Sequence, residues 1–187
     1  EAKISGKTES LAAKKSADAK ARLEAEARVK EARAEAIRKK AEDAIAAADF
    51  NIVVDAVNST GGIFVPAMLR ALGVTKITEM YCEPTGHFPH NPEPLPENLV
   101  ALSAEVVKQQ ADLGIAVDPD VDRLALVNED GSMFGEEYTL VAVSEYILSK
   151  RKGATVSNLS STRALRDITE EVGCTYHASA VGEVNVV

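Results

Sequence analysis

Asp112-Leu113-Gly114-Ile115-Ala116-Val117-Asp118-Pro119-Asp120-Val121-Asp122-Arg123-Leu124-Ala125-Leu126-Val127 contains two short apolar runs separated by six residues, three of them acidic. Each run suits a buried strand better than a helix, being brief and rich in Leu, Ile, Val and Ala. A parallel crossover needs about a dozen residues or more. The hexapeptide is too short for one, so the two strands form an antiparallel hairpin with its carboxylates on the connecting loop.

Outward from the hairpin, strands and helices alternate. Residues 52–57 read as a strand, Gly61-Gly62 as a turn, 63–72 as a helix ended by Gly73, and 76–81 as a second strand. A proline-rich loop follows, then a helix over 99–110, the hairpin, a turn at 128–131 and a helix over 136–150. This order implies an α/β fold: a three-layer α/β/α domain with a mixed, mostly parallel sheet, over residues 49–152. Residues 153–187 read as strand (154–157), helix (162–172) and strand (175–180), the start of a second α/β unit. Such a short piece cannot bury a core of its own and must dock elsewhere.

Residues 1–48 form a third region. From 10 to 48 there is neither Gly nor Pro, and Ala, Lys, Glu and Arg dominate, which favours a long helix or a helical hairpin. A seam through Leu23, Ala27, Lys30, Ala34, Ile37, Ala41, Ala44 and Ala48 lacks bulk and is interrupted by Lys30, so a stable free coiled coil is not expected. The composition resembles engineered helices. The segment is read either as a partner-docking helix or as a cover for the adjoining domain.

Three carboxylates at alternate positions need a reason. Two of them about 4–5 Å apart repel by roughly 3–4 kcal/mol at an effective dielectric near 20, so Asp118, Asp120 and Asp122 must share protons or a cation. Magnesium takes oxygen ligands and keeps positions for water or phosphate, and Arg123 adds a planar fork suited to a phosphate beside it. An EF-hand is rejected. Glu129 does fall at position 12, but Arg123 stands where glycine is required, Pro119 is second, and a strand follows instead of a helix.

The other motifs carry less. Ile4-Ser5-Gly6-Lys7-Thr8 lacks the first glycine and the strand of a phosphate-binding loop. Asn58 to Gly62 reads as a plain strand-to-helix turn, and His87 and His90 as loop residues without a third zinc ligand. Residues 1–50 carry a net +2 and residues 51–187 a net −10, which argues against nucleic-acid binding and suits a cation ligand. Cys82 and Cys174 are far apart and are expected as free, mostly buried thiols in a reducing cytosol. No apolar run has the length of a membrane span, and no signal-peptide pattern is visible; a cytoplasmic setting is expected.

Four segments in order carry a family resemblance: Ile52-Val53-Val54-Asp55-Ala56-Val57-Asn58-Ser59-Thr60-Gly61-Gly62, Gly86-His87-Phe88-Pro89-His90-Asn91-Pro92-Glu93-Pro94, the Asp118 to Arg123 loop, and Ser157-Asn158-Leu159-Ser160-Ser161-Thr162-Arg163-Ala164-Leu165. Together they resemble the alpha-D-phosphohexomutases, the phosphoglucomutase/phosphomannomutase family with the phosphoglucosamine mutases, over about residues 45–187; residues 1–44 do not match it. The resemblance implies magnesium ligation by Asp118, Asp120 and Asp122. It places Arg123 beside a phosphoserine, Arg163 near the active-site phosphate, and Glu183 of Val181-Gly182-Glu183 in the cleft as a substrate-binding residue.

Family members have four domains. The resemblance implies a phosphoserine in a T-A-S-H-N-P-like motif from the first, a G-E-x-S/N-G sugar loop from the third and an R-x-S-G-T-like phosphate clamp from the fourth. None occurs here. Ser5, Ser10 and Ser16 lack the flanking residues, and the chain stops at Val187 before a sugar loop. The expectation is a partial mutase that binds magnesium and is inactive alone, meeting a hexose phosphate only within a longer parent. The alternative is an engineered or chimeric scaffold. Self-association is expected through residues 1–48 or the sheet edge of 153–187.

Overall fold

The computed structural model describes the backbone of residues 2–135 and 137–186, with side chains from Lys20 onward except those of Ala21, Glu136, Glu183 and Val187. The chain divides into two bodies, residues 1–48 and 49–187. The first is one continuous helix, α1 (Ala2–Ala48), and not a helical hairpin. No proline interrupts it, and the i,i+4 ion pairs Lys20–Glu24 (4.0 Å) and Arg38–Glu42 (3.3 Å) run along its surface.

The second body is built on a four-stranded sheet. Its strands are β1 (Asn51–Asp55), β2 (Lys76–Met80), β3 (Leu113–Val117) and β4 (Leu124–Asn128), in the order β2-β1-β3-β4. β1 pairs in parallel with β2 and with β3, and β3 with β4 antiparallel, in the register Val117↔Leu124 to Leu113↔Asn128. This is the mixed, mostly parallel sheet expected, with the hairpin forced by its six-residue loop.

Successive strand side chains face opposite ways, yet Ile52, Val53 and Val54 are all buried, so both faces of β1 are covered. α2 (Gly61–Ala71) packs on β1 and β2, and α3 (Val100–Lys108) on β1, β3 and β4. The α3 side encloses Val53, Leu99, Leu102, Val106, Ala111, Ala116, Ala125 and Val127. Gly62 makes close packing possible elsewhere: a Cβ there would lie 2.2 Å from the Cys82 carbonyl oxygen. Gly62 therefore serves the contact of α2 with the loop leaving β2.

β1 is shorter than the sequence suggested. It ends at Asp55 because Val57 (φ 47°) and Asn58 (φ 54°) are left-handed, a conformation a strand cannot contain. Tyr81 (φ 49°) follows β2 and Val121 (φ 63°) follows β3 in the same way, so left-handed residues gather at the carboxyl end of the parallel strands. After α4 (Tyr138–Lys150), residues β5 (Thr155–Asn158), α5 (Ala164–Glu171) and β6 (Tyr176–Ser179) form a β-α-β unit whose two strands pair in parallel as a separate sheet. α5 buries Leu165 and Thr169, and the Thr169 hydroxyl meets that of Thr155 at 2.7 Å.

Candidate metal centre

The acidic loop leaves β3 at the point where the order of the sheet reverses. β1 leads by way of α2 to β2 on one side, and β3 lies on the other. In open α/β sheets the crevice at such a switch point, outside the carboxyl ends of the strands, is the usual ligand position. Here the loops after β1 and β3 are joined, since the Ser59 and Thr60 hydroxyls both donate to the Pro119 carbonyl.

Asp118 is buried and closes the loop. Its Oδ1 accepts the Arg123 backbone N–H at 3.1 Å, while its carbonyl accepts the Val121 N–H at 3.2 Å. Asp120 and Asp122 are exposed, and one oxygen from each of the three carboxylates lies within 4.8 Å of the others. A hydrogen bond shared with Asp118, then the charges of Asp120 and Asp118, push the Asp122 carboxyl above the ordinary range against the opposing pull of Arg123. This electrostatic crowding, on an all-oxygen donor set with one buried member, fits a hard divalent cation. Asp118, Asp120 and Asp122 are the residues that would hold it.

Arg123 lies between this cluster and the proline-rich loop. Its Nε is 3.7 Å from Asp118 Oδ2 and 3.8 Å from Asp122 Oδ1, while Nη1 donates to Glu93 Oε1 at 2.8 Å. His90, expected as a loop residue, is in that loop but is also tied to the sheet. Its Nε2 lies 3.0 Å from Oδ2 of the buried Asp55, its Nδ1 2.8 Å from the Asn91 carbonyl, and Tyr81 meets its ring edge-on at 5.7 Å. Asp55 Oδ1 accepts the Val57 N–H at 3.0 Å.

The pairings of Asp55 with His90 and of Glu93 with Arg123 were not read from the sequence, where His90 reads only as a loop residue. The signal that could have found them is the run Pro89, Pro92, Pro94 and Pro96, whose fixed φ values mark a segment built to hold one shape.

The remaining candidates lie apart in sequence and partners. Arg163 precedes α5 and donates from Nε to Asp167 at 3.1 Å; with Asn158, Ser161, Thr162, Arg166 and Tyr176 it lines a cavity of about 220 Å³. Glu183 belongs to a short 3-10 turn, Glu183–Asn185, and its side chain lies outside the described residues. Cys82 and Cys174 are free and half-buried, more open than expected. Among the described residues no helix is long and apolar enough to cross a membrane.

Fold and site together define an α/β/α domain that carries a three-carboxylate loop at the switch point of its sheet. The family model for the phosphoglucomutase/phosphomannomutase alpha/beta/alpha domain II matches residues 30–131, and the chain belongs to that family. The match takes in residues 30–44, which the sequence reading had left outside. A phosphoglucomutase from Neisseria gonorrhoeae is 38% identical over 126 residues, 66% of this chain and 27% of that protein. A phosphoglucomutase/phosphomannomutase from Thermococcus kodakarensis is 34% identical over 137 residues, 72% of this chain and 30% of that protein. The chain thus spans less than a third of the curated relatives it matches. A solved phosphoglucomutase/phosphomannomutase family protein from Burkholderia thailandensis superimposes with a TM-score of 0.67 at 29% identity, covering 80% of this chain and 34% of that one.

Proposed function

We propose that this chain supplies the magnesium site of a phosphohexomutase, with Asp118, Asp120 and Asp122 as ligands and Arg123 directed at a phosphate beside the metal. The observation that supports it best is the convergence of three carboxylate oxygens within 4.8 Å at the sheet's switch point. In the whole enzyme the reaction would move phosphate between C1 and C6 of a hexose through a phosphoserine and a bisphosphorylated sugar. Magnesium, when bound, would neutralise charge on the transferring group. Arg163 and Glu183 would meet the phosphate and the sugar from the β5–β6 side. A cytosolic setting accords with two free thiols.

We further propose that these 187 residues are inactive by themselves, since no serine in them sits in a nucleophile motif and no sugar loop or phosphate clamp occurs. A foreign helical scaffold is disfavoured by the family match reaching back into α1 at residue 30.

Magnesium at about ten times its Kd should stabilise the folded chain by roughly 1.4 kcal/mol, visible as a melting temperature higher by about 3–5 °C. Asp120→Asn should lose most of that gain. An identical response of wild type and variant would reject the site. In an assay for interconversion of glucose 1-phosphate and glucose 6-phosphate with magnesium and a bisphosphate activator, no turnover above background is expected. Turnover on the order of 1 per second would reveal a nucleophile not identified above.

A further inference from the structure

We propose that Glu93 is a positioning residue for the cation site: by pairing with Arg123 it keeps that guanidinium from settling among Asp118, Asp120 and Asp122, which leaves their oxygens to the metal. The inference rests on reading the triad as a magnesium site. It concerns a residue of the proline-rich loop outside the triad, whose carboxylate pairs with Arg123.

The geometry places Arg123 between two claimants. Glu93 holds Nη1 at 2.8 Å, while Asp118 and Asp122 approach Nε to only 3.7 and 3.8 Å, beyond hydrogen-bonding reach. The Arg123 side chain is about half exposed, so no wall of packed atoms keeps it there. A long, flexible cation released beside three carboxylates would move into them, because each would attract it and their mutual repulsion would fall. Settled there, it would compete with a divalent ion for the same oxygens.

Glu93 can act as a restraint because its own position is fixed. Its N–H donates to Asn91 Oδ1 at 3.1 Å, and its carbonyl accepts from Asn98 Nδ2 and the Leu95 N–H, each at 2.8 Å. Pro92 and Pro94 flank it. Upstream, the same segment is tied to the end of β1: Asn58 donates to the His87 carbonyl at 3.1 Å, the Gly86 N–H donates to the Asn58 carbonyl at 3.0 Å, and His90 pairs with Asp55. An exposed ion pair of this kind adds little to stability. Its effect is to be sought in cation affinity.

The test is a double-mutant cycle on the chain as it stands, reading magnesium and manganese affinity by calorimetry for wild type, Glu93→Gln, Arg123→Gln and the double variant. Glu93→Gln should weaken binding about three- to tenfold, about 0.6–1.4 kcal/mol. In the Arg123→Gln background the same change should alter affinity less than about twofold. Equal losses in both backgrounds would mean that Glu93 acts only through its own charge, and unchanged affinity in Glu93→Gln would mean that it does not act; either result overturns the proposal.

A second readout needs no metal. The Arg123 Nε–H resonance of ¹⁵N-labelled, metal-free protein should shift in Glu93→Gln, and an unchanged resonance also overturns it. If wild type binds neither cation, the magnesium reading fails, and the site that Glu93 would serve fails with it. The resonance then decides separately whether the Glu93–Arg123 pairing exists.

Discussion

At the scale of single residues, the local spacing of Asp118, Asp120 and Asp122 made the acidic cluster legible, because alternate positions on a six-residue loop have nowhere to go but near one another. Asp55 and His90 are 35 residues apart and Glu93 and Arg123 30 apart, so no window of sequence shows those pairs. Gly62 is a residue whose role can be measured directly. Alanine would gain about 1 kcal/mol of helix propensity, but its Cβ would meet backbone at 2.2 Å and force β2's exit loop away. A net loss of about 2 kcal/mol, or roughly 4–8 °C in melting temperature, is expected for Gly62→Ala by calorimetry.

Cys82 gives a pH-dependent counterpart at this scale. Burial first, then the charges of Glu79 and Asp55, push its thiol up to about 11. At pH 8 its thiolate should be about 100-fold scarcer than that of an ordinary thiol, with alkylation by iodoacetamide accelerating about tenfold per pH unit up to pH 10. Peptide mapping separates it from Cys174. The folded chain keeps a proton that the unfolded chain releases, so stability is expected to fall as pH rises from about 9 toward 11.

At the scale of elements, the hairpin was legible because the length of a connection limits its geometry, and the structure returns the antiparallel pair β3–β4. Strand ends were less legible. Val57 is β-branched and apolar and reads as a continuation of β1, yet it turns left-handed, and the reason lies in Asp55, whose carboxylate accepts the Val57 N–H. Asp55 thus ends β1 and anchors the proline-rich loop through His90. Asp55→Ala should cost about 2–3 kcal/mol, since it leaves the buried Val57 N–H and Nε2 of the mostly buried His90 ring without partners. Hydrogen exchange should quicken at Val57 and Gly86, whereas α3 amides should change only with global stability. Protection at Val57 equal to wild type would refute this account of the strand end.

At the scale of the molecule, the two-stranded β5–β6 sheet leaves an edge on each strand without a pairing partner among the described residues, and a sheet so narrow is marginal alone. Self-association through that edge is the expected outcome: light scattering over a tenfold concentration range should report a mass above 19.9 kDa that survives removal of residues 1–44. A strict monomer would refute it, and dissociation on removing those residues would move the contact to α1.

The left-handed residues at the strand ends bear on where the molecule could be improved. A non-glycine residue held there costs on the order of 1–2 kcal/mol, more for a β-branched one, and Val121 is only partly covered. Val121→Asn, which tolerates that conformation, should melt higher by about 2–4 °C without any new contact. Reserves of stability in a protein are commonly sought in its core or on remote surfaces. Here one lies in the acidic loop itself, so this body can be made sturdier at the spot where engineers would ordinarily leave the sequence alone.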